Sequence, residues 1–128
     1  MRRLMLLRHA KSDWPAGLPD LDRPLAPRGR EAAPRMGAYL AAEGLLPDLA
    51  LVSPARRTRE TFALVEPHLG SSESRTEPRI YEAPAERLLE VVREAPPEAL
   101  ALLLVGHNPG FEDLARRLVG HGDRYAFA

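Results

Sequence analysis

The chain has 128 residues, 45% of them apolar, and its 18 Lys and Arg residues balance 18 Asp and Glu. That length suits one compact domain spanning residues 1–128 around one core. The charge balance argues against nucleic acid as a partner, because a phosphodiester backbone calls for a basic excess, and with no cysteine neither a disulfide framework nor a thiolate zinc site is available.

The chain opens on Met1-Arg2-Arg3-Leu4-Met5-Leu6-Leu7. This has the beginnings of a secretory leader, but it stops at Arg8-His9 with no small-residue cleavage site behind it. No other apolar stretch approaches the length that crosses a bilayer. A cytoplasmic protein with no membrane association is expected.

In chain order, the first strand is expected over Arg3–Leu7. A long proline-rich loop follows from Ser12 to Leu25, of the kind that often carries function in compact domains. Ala32, Met36 and Leu40 share one face of a first helix, with Pro34 inside the pattern, where it should kink the helix or delay its start. Leu49–Val52 reads as a second strand. Ser53-Pro54 then supplies a cap residue and a first-turn proline for a helix carrying Thr61, Leu64, Val65 and Leu69 on one face, with Gly70 as its stop. A weak third strand is expected at Arg79–Tyr81, and Pro84 opens a helix bearing Leu88, Leu89 and Val92. Ala101–Val105 is the fourth strand. Asn108-Pro109 repeats the cap-and-proline signal before a helix bearing Phe111, Leu114, Ala115 and Leu118. The first, second and fourth strands are continuously apolar, as in strands buried on both faces. The order βαβαβαβα predicts an α/β three-layer sandwich, with a mostly parallel central sheet and helices on both faces.

Ligands of open parallel sheets bind at the carboxyl ends of the strands, and each strand end here holds a reactive group. The first leads into Arg8 and His9, and the second into Ser53 and the cluster Arg56, Arg57 and Arg59. Glu82 follows the third, and Gly106-His107-Asn108 follows the fourth. Converging arginines suit a phosphate, whose oxygens match the guanidinium fork. An imidazole kept neutral by that positive charge offers a lone pair as nucleophile. Arg8, Arg57 and His107 are placed to stabilise a phosphoryl transition state without a metal. Glu82 is placed to protonate the leaving group and deprotonate the attacking water, and equally reads as a surface carboxylate.

These residues carry a family resemblance. Leu7-Arg8-His9-Ala10-Lys11-Ser12 resembles the Arg-His-Gly signature of the histidine phosphatase superfamily, with Ala10 at the glycine. Ser53-Pro54-Ala55-Arg56-Arg57-Thr58-Arg59-Glu60-Thr61 is similar to its Ser-Pro-x-x-Arg-Ala-x-Gln-Thr segment, and Gly106-His107-Asn108-Pro109-Gly110 to its second-histidine motif. Asp22-Arg23-Pro24-Leu25, followed by Gly29, resembles the small bacterial phosphohistidine phosphatases of the SixA type. The resemblance implies a phosphoglycerate mutase-like fold, His9 as the phosphorylated nucleophile, and a phosphate pocket made of Arg8, Arg57 and His107, with no cofactor or metal. The chain stops at Ala128, soon after the fourth helix, where relatives continue through another strand. Either the sheet is one strand short, or a partner completes its edge, and the oligomeric state stays open.

Plainer roles stand beside these. Ser53 and Asn108 read first as helix caps, and Arg56 and Arg59 as a solvated helix face paired with Glu60. Lys11, Ser12 and Asn108 are candidates for substrate contact, though Lys11 and Ser12 equally read as facing water. His68 and His121 read as surface residues. The leading function is a phosphohistidine protein phosphatase acting on a phosphorelay domain, since a short chain leaves no cap to enclose a small metabolite. A phosphatase of small phosphorylated metabolites, or a mutase, uses the same pocket. A metal-dependent hydrolase lacks histidine-ligand spacing, and a non-catalytic phosphate-binding module requires loss of a nucleophile that is present.

Overall fold

The computed structural model describes residues 3–70, 72–118 and 124–127. Five strands are found there: β1 (Arg3–Arg8), β2 (Leu49–Val52), β3 (Glu73–Thr76), β4 (Ala101–Gly106) and β5 (Arg124–Phe127). They form one sheet in the order β3-β2-β4-β1-β5, and every neighbouring pair is parallel. Four helices accompany them: α1 (Pro27–Ala42), α2 (Arg56–Val65), α3 (Ala85–Arg93) and α4 (Gly110–Leu118).

Side chains alternate along the central strands and so build a core on each face of the sheet. Leu4, Leu6, Leu49, Leu51, Leu102 and Leu104 pack with Leu88, Val92, Phe111 and Leu114 of α3 and α4. Met5, Leu7, Ala50, Val52, Leu103 and Val105 point the other way, toward Ala33 and Leu40 of α1 and Phe62 and Val65 of α2. This is the expected three-layer sandwich. It also explains why the central strands are apolar at every position.

Several local expectations are corrected. The third strand is Glu73–Thr76, an exposed polar edge strand, and not Arg79–Tyr81. That segment falls in a 3-10 turn (Pro78–Ile80), where Glu77 accepts a hydrogen bond from the Arg79 backbone N–H, and Pro78 cannot extend a ladder. The first helix starts at Pro27 and carries Pro34 inside sixteen residues, so Pro34 does not delay its start. Pro34 has no N–H to give the Arg30 carbonyl, so the helix runs through it with one i to i+4 bond fewer. The buried face of α1 is Gly29, Ala33, Gly37 and Leu40, shifted from the predicted stripe because glycines let the helix approach closely. The second helix begins at Arg56, with Ala55 and not Ser53 at its cap. Gly70 turns the chain at φ 72° after a short 3-10 extension of α2. The sheet is not a strand short: β5 pairs with β1 from Arg3–Arg124 to Leu6–Phe127 within the chain itself.

Gly29 ties α1 to the loop that follows His9. The Ala26 N–H donates to the Lys11 carbonyl at 2.8 Å, and a Cβ on Gly29 would run into that same carbonyl. Backbone cannot step aside as a flexible side chain can. Gly29→Ala is therefore expected to lower the unfolding free energy by about 2 kcal/mol, checked by urea denaturation of the two proteins side by side.

Candidate active site

The register of the sheet decides what meets at its carboxyl edge. Arg8, the last residue of β1, lies opposite Gly106, the last of β4. The His9 N–H donates to the Gly106 carbonyl and the Ser53 N–H to the Val105 carbonyl, both at 3.0 Å. The residues just past β1, β4 and β2 are thereby drawn side by side. They open onto a cavity of about 820 Å³ lined by, among others, Arg8, His9, Arg57, Glu82 and His107. Lys11, Ser12 and Asn108 line it as well.

His9 Nδ1 lies 2.7 Å from the Ala10 carbonyl. A carbonyl only accepts, so Nδ1 carries the proton and Nε2 keeps its lone pair. The Ala10 peptide is itself fixed, because its N–H donates to Thr61 Oγ1 at 3.0 Å while that hydroxyl donates to the Arg57 carbonyl at 2.7 Å. Burial lowers the His9 pKa, and Arg57, Arg8 and Arg23 lower it further against the opposing pull of the Ala10 hydrogen bond. The imidazole is thus neutral near pH 7.

His107 is 8% exposed, and its ring centroid lies 5.4 Å from that of His9. Arg57 Nη2 sits 3.4 Å from its Nδ1. The guanidinium only donates, so Nδ1 accepts and Nε2–H donates to Ser53 Oγ at 2.8 Å. Ser53 therefore serves His107 and does not cap a helix. Asn108 does bond the first turn of α4, where its Oδ1 accepts from the Glu112 N–H at 3.2 Å and its Nδ2 donates to Glu112 Oε1 at 3.1 Å. Burial is the largest cause pushing the His107 pKa down to about 4, with the charge of Arg57 next.

Arg57 is 5% exposed, and both ends of its fork meet Asp20. Nη1 donates to the Asp20 carbonyl at 2.8 Å and Nη2 to Asp20 Oδ2 at 3.0 Å, while Nε is buried without a partner. The same carboxylate accepts from Arg23 Nη1 at 2.8 Å and from the Tyr81 hydroxyl. The Tyr81 hydrogen bond leads the causes that hold the Asp20 carboxyl far below the usual carboxylate range. Burial and this carboxylate push the Tyr81 hydroxyl up to about 12. Ser12 is buried, and its Oγ accepts from Arg23 Nη2 at 2.7 Å. Lys11 is exposed on the cavity wall, and Glu82 is exposed at φ 52°, a left-handed backbone uncommon outside glycine. Arg56 pairs with Glu60 at 3.0 Å on the outside of α2. His68 is exposed, and His121 lies outside the described residues.

Asp20, Arg23, Tyr81, Trp14 and Thr61 belong to this site although residue-by-residue reasoning gave them no part in it. Arg23 and Thr61 stand inside the quoted motifs, so a signal existed for them. Asp20 sits in a proline-rich loop with no local pattern to mark it, and its role depends on contacts 37 and 61 residues away.

A family model for the histidine phosphatase superfamily (branch 1) matches residues 4–104. The chain belongs to that superfamily. It is 39% identical over 110 residues to an uncharacterised protein of Mycobacterium tuberculosis (strain ATCC 25618 / H37Rv), a match covering 85% of this chain and 67% of that one. It also resembles two solved structures described as candidate phosphohistidine phosphatases SixA. For the one from Agrobacterium tumefaciens the TM-score is 0.84 at 34% identity, over 90% of this chain and 75% of that one. For the one from Nakamurella multipartitia it is 0.82 at 33% identity, over 91% of this chain. The chain spans 64% of the length of the Nakamurella protein. The phosphoglycerate mutase-like fold is thus established, and family membership supports a phosphatase whose chemistry runs through histidine. No described helix is long and apolar enough to cross a membrane.

The buried neutral His107 makes stability depend on pH. The unfolded chain takes up a proton at the ordinary histidine value of 6.5, whereas the folded chain does so only near 4. Between those values the unfolded state holds more protons, so stability falls as pH drops through the window. The loss from His107 is about 2 kcal/mol by pH 5. Unfolding free energies measured from pH 7.5 to 5 should fall less steeply in His107→Gln than in the wild-type protein.

Proposed function

We propose that this chain is a metal-independent phosphohistidine protein phosphatase. In this reading His9 Nε2 attacks phosphorus and carries the phosphoryl group as a covalent intermediate. The observation that carries the proposal is the hydrogen bond from His9 Nδ1 to the Ala10 carbonyl, which leaves Nε2 unprotonated beside the arginines. As the Nε2–P bond forms, positive charge grows on the ring, and the Ala10 carbonyl is already in place to stabilise it.

Arg8, Arg57 and His107 hold the phosphoryl oxygens. The unpartnered Arg57 Nε supports this, since a buried donor without an acceptor is costly unless a ligand supplies one. A phosphoryl dianion beside His107 favours a proton on its Nδ1, which turns that atom from an acceptor of Arg57 into a donor to the ligand. Glu82, on the cavity wall in its left-handed backbone, is the group assigned to protonate the leaving atom and then to deprotonate water. Water attack on phosphorus returns the bonding pair to Nε2 and releases phosphate. Among the described residues no group of three or more His, Asp or Glu side chains is placed to hold a metal ion, and arginines take the place a cation would need. Substrate is a phosphorylated protein, with a phosphorelay domain as the leading partner. A small phosphorylated metabolite handled by the same pocket is the second reading, favoured by a cavity larger than a phosphoryl group alone requires.

Radiolabelled substrate should leave acid-labile, base-stable label on the wild-type protein and none on His9→Ala; label retained on the variant would overturn the nucleophile. Turnover of a phosphorylated phosphotransfer domain, compared with a panel of small phosphoesters in excess chelator, should favour the domain and persist without metal. Arg57→Lys should lower kcat/KM by about a hundredfold, because a single ammonium cannot reproduce the fork, as read from steady-state kinetics.

A further inference from the structure

Trp14 is the only tryptophan of the chain, and it is 76% exposed. Its ring is nevertheless fixed in place. The Arg23 guanidinium carbon lies 3.2 Å from the ring centroid. Arg23 is itself 6% exposed and is held by Nε donating to the Asp13 carbonyl at 3.0 Å, Nη1 to Asp20 and Nη2 to Ser12. One face of the indole therefore rests on an immobile cation, and most of the rest meets solvent on the wall of the cavity that holds His9. A large aromatic side chain leaves much favourable burial unrealised when it stands in water, and this one stands there in a defined pose.

The cavity has more room than a phosphoryl group uses. Its volume of about 820 Å³ falls in the range that holds a drug-sized molecule. The anion-binding groups gather around His9, Arg57 and His107, so the remaining space serves whatever departs from phosphorus. Trp14, Ala83, Pro84 and Pro109 line the same cavity beside its charged residues, and of these Trp14 offers the large planar face that a ring could stack on.

We propose that Trp14 is the stacking wall for the leaving group and a specificity-determining residue, selecting a planar ring, the imidazole of the phosphohistidine substrate proposed above, over an alkyl alcohol. The inference rests on the phosphatase reading above and adds to it a residue that selects among substrates. In the step, the bond between His9 Nε2 and phosphorus forms as the bond from phosphorus to the leaving imidazole nitrogen breaks. That nitrogen keeps the electron pair and takes the proton assigned to Glu82. The ring remains stacked on Trp14 until it diffuses away.

The lone tryptophan is its own reporter. In His9→Ala, which holds ligands uncleaved, N-phosphohistidine and phenyl phosphate should alter the tryptophan emission and bind about fivefold tighter than methyl phosphate. Inorganic phosphate should bind with little change in emission. In the otherwise wild-type enzyme, the ratio of kcat/KM for N-phosphohistidine to that for methyl phosphate should fall about fivefold in Trp14→Ala and be kept in Trp14→Phe. Equal affinity and equal emission for ring-bearing and methyl ligands would overturn the stacking wall while the phosphate pocket stands. A response to phenyl phosphate but not to N-phosphohistidine would overturn the imidazole assignment. Failure of every phosphate ligand to bind would overturn this inference together with the function it rests on.

Discussion

Parallel pairing of β1 with β4, residue for residue from Arg3–Ala101 to Arg8–Gly106, is the constraint on which the site depends. Both strands are buried on both faces, so neither can slip by one residue without turning its leucines to the wrong layer. With that register held, His9 and His107 leave the sheet from adjacent strands at the same height. The next strand over, β2, delivers Ser53 and the helix carrying Arg57. Gly106 closes the arrangement, because a Cβ there would strike the rings and methyls of Phe111 and Ile80.

Electrostatics then set the protonation states. Burial is the largest cause that favours neutral imidazoles at His9 and His107, and the nearby arginines, Arg57 and Arg23 at both and Arg8 at His9, add to the effect. The arginines are themselves balanced by Asp20, which accepts from Arg23, Arg57 and Tyr81. This carboxylate keeps a cluster of guanidinium groups from repelling its own members apart, and it holds the Arg57 fork in a fixed plane. The arginines of the cavity are thus already oriented, and an anion entering it would compete with a resident carboxylate for their N–H groups.

Much of the fold is legible in the sequence because its strongest signals are physical ones. Leu4–Leu7 and Leu102–Val105 are apolar at every position because both faces of the central strands are covered. The third strand is not legible: Glu73-Ser74-Arg75-Thr76 lies exposed at the sheet edge, where nothing selects for apolar side chains. Ser53 illustrates a different limit. Its place before a proline fits a helix cap, and only the closeness of His107 across the sheet edge shows where its hydroxyl goes. Within the candidate site, Arg8, His9, Arg57 and His107 stand at junctions that the alternation of strands and helices marks out. Asp20 and Trp14 do not, since a long loop reaches the cavity by tertiary packing and leaves no periodic trace.

The Ser53–His107 hydrogen bond spans 54 residues of chain, and the bond from Tyr81 to Asp20 spans 61. Contacts of that separation close only after most of the loop entropy between them has been lost, which makes non-local topologies slow to assemble. No sub-fragment such as β1–α1–β2 holds both histidines, because the second arrives with the strand that inserts between β1 and β2. The candidate site is therefore complete only when the last central strand has docked. Until then β1 and β2 each present a bare edge, so the step that brings His107 to the site also covers strand edges open to pairing with another chain.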